Sequence, residues 1–423
     1  MLPERVNTVV VGGGQAGLAM SEHLTASHVD HVVLERHRIA ERWRSERWDS
    51  LVANGPAWHD RFPSKEFETC GPDDFPTKHE VVQYFEDFAG EISAPIHCGV
   101  EVLKISRRQG EMGFLVTTSE GQILTENVVA ATGPFQRPLI PDLVPETTAI
   151  KQIHSTGYRN PQSLPEGAVM VVGAGSSGAQ ISDELHRAGR KVYLSVGPHD
   201  RPPRAYRGRD YCWWLGVLGK WDAAAKEPGT EHVTISVSGA YGGKTIDFRR
   251  FAERGIVLTG RADGYEKGCL LFSDDVVENV TRGDANYLSV LREADAYAER
   301  HGLDLPLEPE AHELISEPDC MREPLRELDL AEAGIGTIIW ATGFGVDYSW
   351  IDADVFDDQG RPVHQRGVTS EVGLYFLGLP WQSRRGSAFI WGVWHDAKYL
   401  ADQIGIQRAY RAYHDDIKQR ETG

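Results

Sequence analysis

Two glycine-rich stretches carry the first chemistry legible in the chain. Val9-Val10-Val11 runs into Gly12-Gly13-Gly14-Gln15-Ala16-Gly17, and Val169-Met170-Val171-Val172 runs into Gly173-Ala174-Gly175-Ser176-Ser177-Gly178. Each is a Gly-x-Gly-x-x-Gly with a β-rich run before it and a helix-forming run after it. Such a turn sets free helix N–H groups, and the positive end of the helix dipole, against a pyrophosphate. Gly12 allows the turn, Gly14 lets backbone approach the phosphates, and Gly17 lets helix pack on strand. Glu35 ends the next apolar run, where a carboxylate accepts from both ribose hydroxyls of a nucleotide. Two such fingerprints predict two bound dinucleotides.

The second fingerprint lacks that acid: Val196 stands at the matching place, followed by Gly197-Pro198-His199-Asp200-Arg201-Pro202-Pro203-Arg204. Without a carboxylate a 2′-phosphate is not repelled, and His199, Arg201 and Arg204 are the candidates to pair with it. Asp200 works against that. NADPH is the expected nucleotide, with NADH as the alternative. Between the fingerprints, Arg42-Trp43-Arg44 and Trp48 suit a flat apolar ring with phosphates nearby, although a packed loop explains that segment alone more simply.

These groups need elements to hold them. Thr77 to Ala89 reads as an amphipathic helix. Gly99–Ile105, Phe114–Thr118 and Ile123–Ala131 read as an antiparallel meander ending at Thr132-Gly133. Pro138, Pro141 and Pro145 mark an extended connection. After the second fingerprint come a helix, Ala179 to Ala188, and a strand, Lys191 to Val196. Asp247 to Leu258 reads as helix then strand, Asn286 to His301 as a helix, and Leu305 to Pro324 as a linker. Gly336–Trp340 closes on a second Ala-Thr-Gly at Thr342-Gly343, Gly373–Leu377 reaches Gly378, and a last helix covers Gly392 to Ile404. The expected fold class is α/β, with two Rossmann-like dinucleotide-binding domains. The first occupies 1–160 and resumes over 331–423, with the second, 161–330, inserted between its halves.

Composition narrows the function. Of 423 residues 44 are basic and 62 acidic, a net charge of −18, which argues against nucleic acid or an anionic membrane as partner. No apolar run is long enough for a spanning helix, and the start carries no apolar leader, so a cytoplasmic protein is expected. The five cysteines are far apart, with no Cys-x-x-Cys and no metal-ligand spacing. The aromatic stretch Tyr211–Leu218 suits an apolar amine, indole or thioether substrate, and core packing explains it equally well.

The arrangement resembles the class B flavin-containing monooxygenases over almost the whole chain. In that family the first fingerprint holds FAD and the second NADPH. The resemblance therefore implies FAD contacts at Gly12, Gly14, Gln15, Ala16, Gly17, Glu35, Arg36, Trp43, Val102, Thr132, Gly133, Thr342, Gly343 and Gly378. Contacts to the nicotinamide nucleotide are implied at Gly173, Gly175, Ser176, Ser177 and Gly178. Leu51-Val52-Ala53-Asn54-Gly55-Pro56 is similar to the segment that places an asparagine beside the flavin, which makes Asn54 the candidate catalytic residue. His154-Ser155-Thr156-Gly157-Tyr158 matches the second half of the signature Phe-x-Gly-x-x-x-His-x-x-x-Tyr. Thr148 and Ile150 replace its Phe and Gly, and Gly197 replaces the arginine usually found for the 2′-phosphate.

What the family implies is an enzyme in which NAD(P)H reduces FAD and O2 forms a C4a-hydroperoxyflavin. This oxygenates a small substrate containing nitrogen, sulfur or a carbonyl; a homodimer is expected by analogy. The alternative is a flavoprotein reductase passing electrons to a carrier. A disulfide-reducing variant would need paired cysteines. A nucleotide-sensing protein without turnover is a third reading.

Overall fold

The computed structural model describes residues 1–108, 110–224 and 234–422. The first sheet has eight strands. Seven lie in the order Ile351–Asp352, Val102–Arg107, Phe114–Thr118, Gly121–Ala130, Arg5–Val11, His31–Glu35, Ile96–Cys98, and Leu374–Phe376 also pairs with Gly121–Ala130. The strands around the first glycine turn are parallel, while Val102–Arg107, Phe114–Thr118 and Gly121–Ala130 form the expected antiparallel meander.

The β-branched run before the first turn is buried on both faces. Val10, with Val33 and Val129, packs under helices Gln15–Ala26, Lys78–Glu91 and Ile390–Thr422; Val9 and Val11 face the opposite core, with Ile351 and Phe376. Alternation across a strand imposes that division, and burial of both faces is why the run is continuously apolar. Helix Lys78–Glu91 starts where Thr77 and Glu80 form a reciprocal capping box.

The second sheet is wholly parallel, in the order Val257–Thr259, Val192–Ser195, Ala168–Val172, Ile335–Trp340, Lys151–His154. Here the structure corrects two assignments. Ile335–Trp340, expected to return the chain to the first sheet, lies in the second between Ala168–Val172 and Lys151–His154. Lys151–His154 itself belongs to the second sheet and not to a connection in the first. An apolar strand ending in Ala-Thr-Gly looks the same in either sheet, and only long-range pairing chooses. The first sheet resumes with Ile351–Asp352 and Leu374–Phe376. The helix expected from Asn286 begins earlier, as Val276–Arg300, and Tyr211–Val217 is a short helix whose Trp214 is fully buried. Among the described residues no helix is long and apolar enough to cross a membrane.

Candidate active site

The first glycine turn fits a nucleotide. Gly12 has φ +115°, and a Cβ there would meet the Ala131 carbonyl oxygen at 2.6 Å; one on Gly17 would collide with the Gly12 carbonyl. Around Gly14 nothing lies within 4 Å of a Cβ position. Two glycines close the turn and the third faces open space, next to a helix whose N-cap makes no side-chain hydrogen bond. Glu35 accepts from the backbone N–H of Gly13 at 2.7 Å and of His37 at 2.8 Å. Each carboxylate oxygen keeps a second lone pair for a ribose hydroxyl. Gln15 donates to Ala388 O at 2.7 Å, and Ala16 packs against Gly378, tying this turn to the last segments of the chain.

Other candidates gather around the same turn or fall away from it. Trp43 is half-buried against both the helix-side core of the first sheet and a core of the second. Thr132 and Gly133 accept from Gln136 Nε2, each at 2.9 Å. Gly343 takes φ +84°, and its carbonyl is 3.0 Å from His154 Nε2. His154 therefore holds the second Ala-Thr-Gly segment, to which Thr342 belongs, and burial keeps its basicity below that of a free histidine. Arg36 is exposed, and Val102 is half-buried at the start of its strand.

The second turn is more crowded. Gly173 repeats the geometry of Gly12 at φ +110°, and Gly178 packs on Gly173 as Gly17 does on Gly12. Gly175, however, is 3.2 Å from Thr234 Cγ2 at its Cβ position. Ser176 donates both its N–H, at 2.9 Å, and its hydroxyl, at 2.8 Å, to the Ile235 carbonyl. The chain thus caps the start of this helix, just before Ser177, with its own Thr234–Val237 backbone.

The three residues expected near a 2′-phosphate do not face one. Arg201 is 2% exposed and bonded to Asp284 at 2.6 Å; Asp284 also takes Arg249 at 2.8 Å. Arg204 is buried and bridges Asp210 to the Asn54 carbonyl. His199 is buried against Phe248, its basicity pushed down to about 4 by burial. The chain turns inward after Gly197, and helix Val276–Arg300 supplies the acid that claims Arg201. Arg261 stands near Gly197: its Cγ is 3.5 Å from the Cβ position of Gly197, its side chain is 60% exposed, and its Nε pairs with Asp275 Oδ2 at 2.6 Å.

Asn54 is the most fully determined candidate. Its segment is pinned at both ends, Ala53 N–H donating to Pro76 O at 2.7 Å and Gly55 N–H to Asp60 Oδ2 at 2.8 Å. Gln180, on the helix of the second fingerprint, donates through Nε2 to Asn54 Oδ1 and to Val237 O, both at 2.9 Å. A peptide carbonyl only accepts, so the Val237 bond fixes which end of the Gln180 amide faces Asn54. That in turn turns the Asn54 oxygen toward Gln180 and leaves its NH2 group without a partner among the described residues. Neither Gln180 nor Asp60 carried a sequence signal, since their roles depend on contacts that no motif spacing encodes.

Comparison with known proteins follows the same outline. Residues 9–207 match the family described as pyridine nucleotide-disulphide oxidoreductase. The chain is 35% identical to a CzcO-like oxidoreductase of Geobacillus kaustophilus, described as uncharacterized, over 94% of this chain and 98% of the relative. An indole-3-pyruvate monooxygenase, YUCCA1 of Oryza sativa, is 30% identical over 44% of this chain and 47% of its own. Among solved structures, a flavin-containing monooxygenase from Stenotrophomonas maltophilia superposes with a TM-score of 0.66 at 20% identity. That match covers 96% of this chain and 99% of the other.

Proposed function

The chain belongs to the CzcO-like oxidoreductases, on the fold of the class B flavin monooxygenases, and from that premise we propose that it is an FAD- and NAD(P)H-dependent monooxygenase. The observation that carries the reading is Asn54, its side-chain oxygen held by Gln180 on the helix of the second nucleotide fingerprint and its NH2 group without a partner among the described residues. When bound, the flavin would supply the oxygen chemistry, and the protein supplies binding, orientation and exclusion of water.

The protein's share is divided among named groups. Gly12, Gly14, Gly17 and Glu35 would hold the FAD pyrophosphate and ribose. Gly173, Gly175, Ser176, Ser177 and Gly178 would hold NAD(P)H, whose pyrophosphate would compete with the Ile235 carbonyl for the Ser176 N–H. Asn54 directs its NH2 donor at the reacting centre, and His154 sets the Thr342-Gly343 backbone. NADPH is preferred through Arg261, which stands beside Gly197 and pairs with Asp275 through Nε, its terminal nitrogens being the candidates for the 2′-phosphate. We place the domain limits at the sheet limits, so that the nicotinamide-nucleotide domain runs from Lys151 through Trp340.

The test is product formation. NAD(P)H oxidation should yield an oxygenated amine, sulfide or ketone product without any added electron carrier. Turnover that requires a carrier, with no oxygenated product, refutes the reading in favour of a reductase.

A further inference from the structure

Next to the Asn54 loop, His59 is 5% exposed, and its Nε2 has no hydrogen-bond partner among the described residues. Its Nδ1 lies 2.9 Å from Asp60 Oδ1. A carboxylate only accepts, so Nδ1 carries the hydrogen, and Nε2 of the neutral ring is a bare acceptor. The ring stacks on Trp221 at 4.8 Å and on Trp391 at 5.9 Å, and meets Trp58 edge-on at 5.4 Å. Trp58 and Trp391 are only half-buried, so the aromatic cluster reaches the surface.

The Asp60 carboxylate holds one nitrogen of the ring, and indole faces lie against it. Cys212 shares the cluster, its sulfur, the imidazole and the Asp60 carboxylate having donor atoms within 4.8 Å of one another. The Arg204 guanidinium is 3.8 Å from that sulfur, a cation that opposes a metal ion there. Burial also keeps the Cys212 thiol protonated. The cluster suits a proton acceptor.

We propose that Nε2 of His59 accepts the N–H of a flat, mostly apolar amine seated against Trp58, Trp221 and Trp391, and takes that proton as the nitrogen is oxygenated. The proposal rests on the monooxygenase reading above. One oxygen atom of O2 goes to the nitrogen and the other leaves as water, with two electrons from NAD(P)H. As the N–O bond forms the N–H bond breaks, and its proton passes to Nε2 and then to solvent. A thioether or ketone has no such hydrogen, so His59 selects amines over both. Asp60 holds His59 through one oxygen and the Gly55 N–H through the other, which fixes the proton acceptor relative to Asn54.

The experiment uses FAD-loaded enzyme with N-methylaniline as probe, and with N,N-dimethylaniline and thioanisole as analogues lacking the N–H. Binding is read by quenching of tryptophan fluorescence, and oxygenated product is counted per NADPH consumed. His59→Phe keeps the stack and removes the acceptor. It should weaken N-methylaniline binding about tenfold, leave thioanisole binding unchanged and leave the flavin absorption spectrum unchanged. His59→Gln keeps an acceptor that cannot take a proton; binding should stay within about threefold while kcat for N-methylaniline falls at least about tenfold. Equal binding of the three probes by the unaltered enzyme overturns the proposal. So does full N-methylaniline affinity in His59→Phe, or a shifted flavin spectrum in that variant, which would assign Nε2 to the flavin. If the unaltered enzyme binds N-methylaniline selectively yet oxygenates none of the probes, the monooxygenase reading fails and the binding role of His59 stands.

Discussion

Replacing Gln180 by Leu tests whether the second fingerprint's helix controls Asn54. Gln180 is 7% exposed and spends its amide hydrogens on Asn54 Oδ1 and Val237 O, both at 2.9 Å. Leucine has a similar volume, so the change is mainly the loss of two hydrogen bonds. Each contributes about 0.5–1.5 kcal/mol net, and an acceptor left without a partner costs about 1–3 kcal/mol. Without Gln180 the Asn54 amide is free to flip, exchanging its donor for an acceptor. A bias of about 1.4 kcal/mol corresponds to a factor of about ten. The expected result is a drop of about five- to tenfold in oxygenated product per NAD(P)H, with the excess O2 released as hydrogen peroxide. Anaerobic flavin reduction should stay within about twofold, since it does not use the Asn54 donor. Gln180→Glu should be worse than Gln180→Leu, because its carboxylate would face two acceptors. The assay pairs peroxide detection with single-turnover reduction. Unchanged coupling in Gln180→Leu, or better coupling in Gln180→Glu, would refute the reasoning.

Further predictions concern the nucleotide and the cores. Arg261→Ala should raise KM for NADPH about tenfold while leaving KM for NADH within about twofold, measured by steady-state oxidation of each; equal effects on both would remove Arg261 from the 2′-phosphate. Asp284→Asn should cost about 3–5 kcal/mol, because it leaves the buried Arg201 and Arg249 guanidiniums without their carboxylate; chemical denaturation reads this. Burial pushes His199 down to about 4 from the ordinary histidine value of 6.5. The unfolded chain therefore binds more protons there below about pH 6.5, so this histidine's effect is a stability present above that pH and lost as pH falls toward about 4. His199→Gln should flatten the fall in Tm between about pH 6.5 and pH 4, whatever it does to Tm at neutral pH.

What the sequence made legible was local. Val9–Val11 and Gly12–Gly17 specify strand, turn and helix within a few residues, and the structure has them in place with Gly14 facing open space. The capped helix after Thr77 and the meander through Ala130 were equally readable, because caps and alternation are short-range patterns. Long-range choices were not. Nothing in Ile335–Trp340 tells which of two parallel sheets it joins, since both offer apolar neighbours on both faces. Arg201 and Arg204 sit at a suitable spacing after the second fingerprint, yet Asp284 and Asp210 claim them, and ion pairing across the fold leaves no trace in local sequence. The Gln180–Asn54 bond and the His59–Asp60 pair have no local sequence signal for the same reason: each residue type is ordinary, and only the fold gives it a neighbour.

The central claim is that this chain oxygenates substrates on a flavin that NAD(P)H has reduced. The most direct measurement reduces the FAD-loaded enzyme anaerobically with NADPH or NADH, then mixes it with O2 and the amine probe in a stopped-flow spectrophotometer, followed by product analysis with 18O2. The expected result is a transient oxygenated-flavin absorbance that decays as product appears, with one 18O atom in the product. Return to oxidised flavin without that transient, with all the oxygen recovered as hydrogen peroxide and none in product, would contradict it.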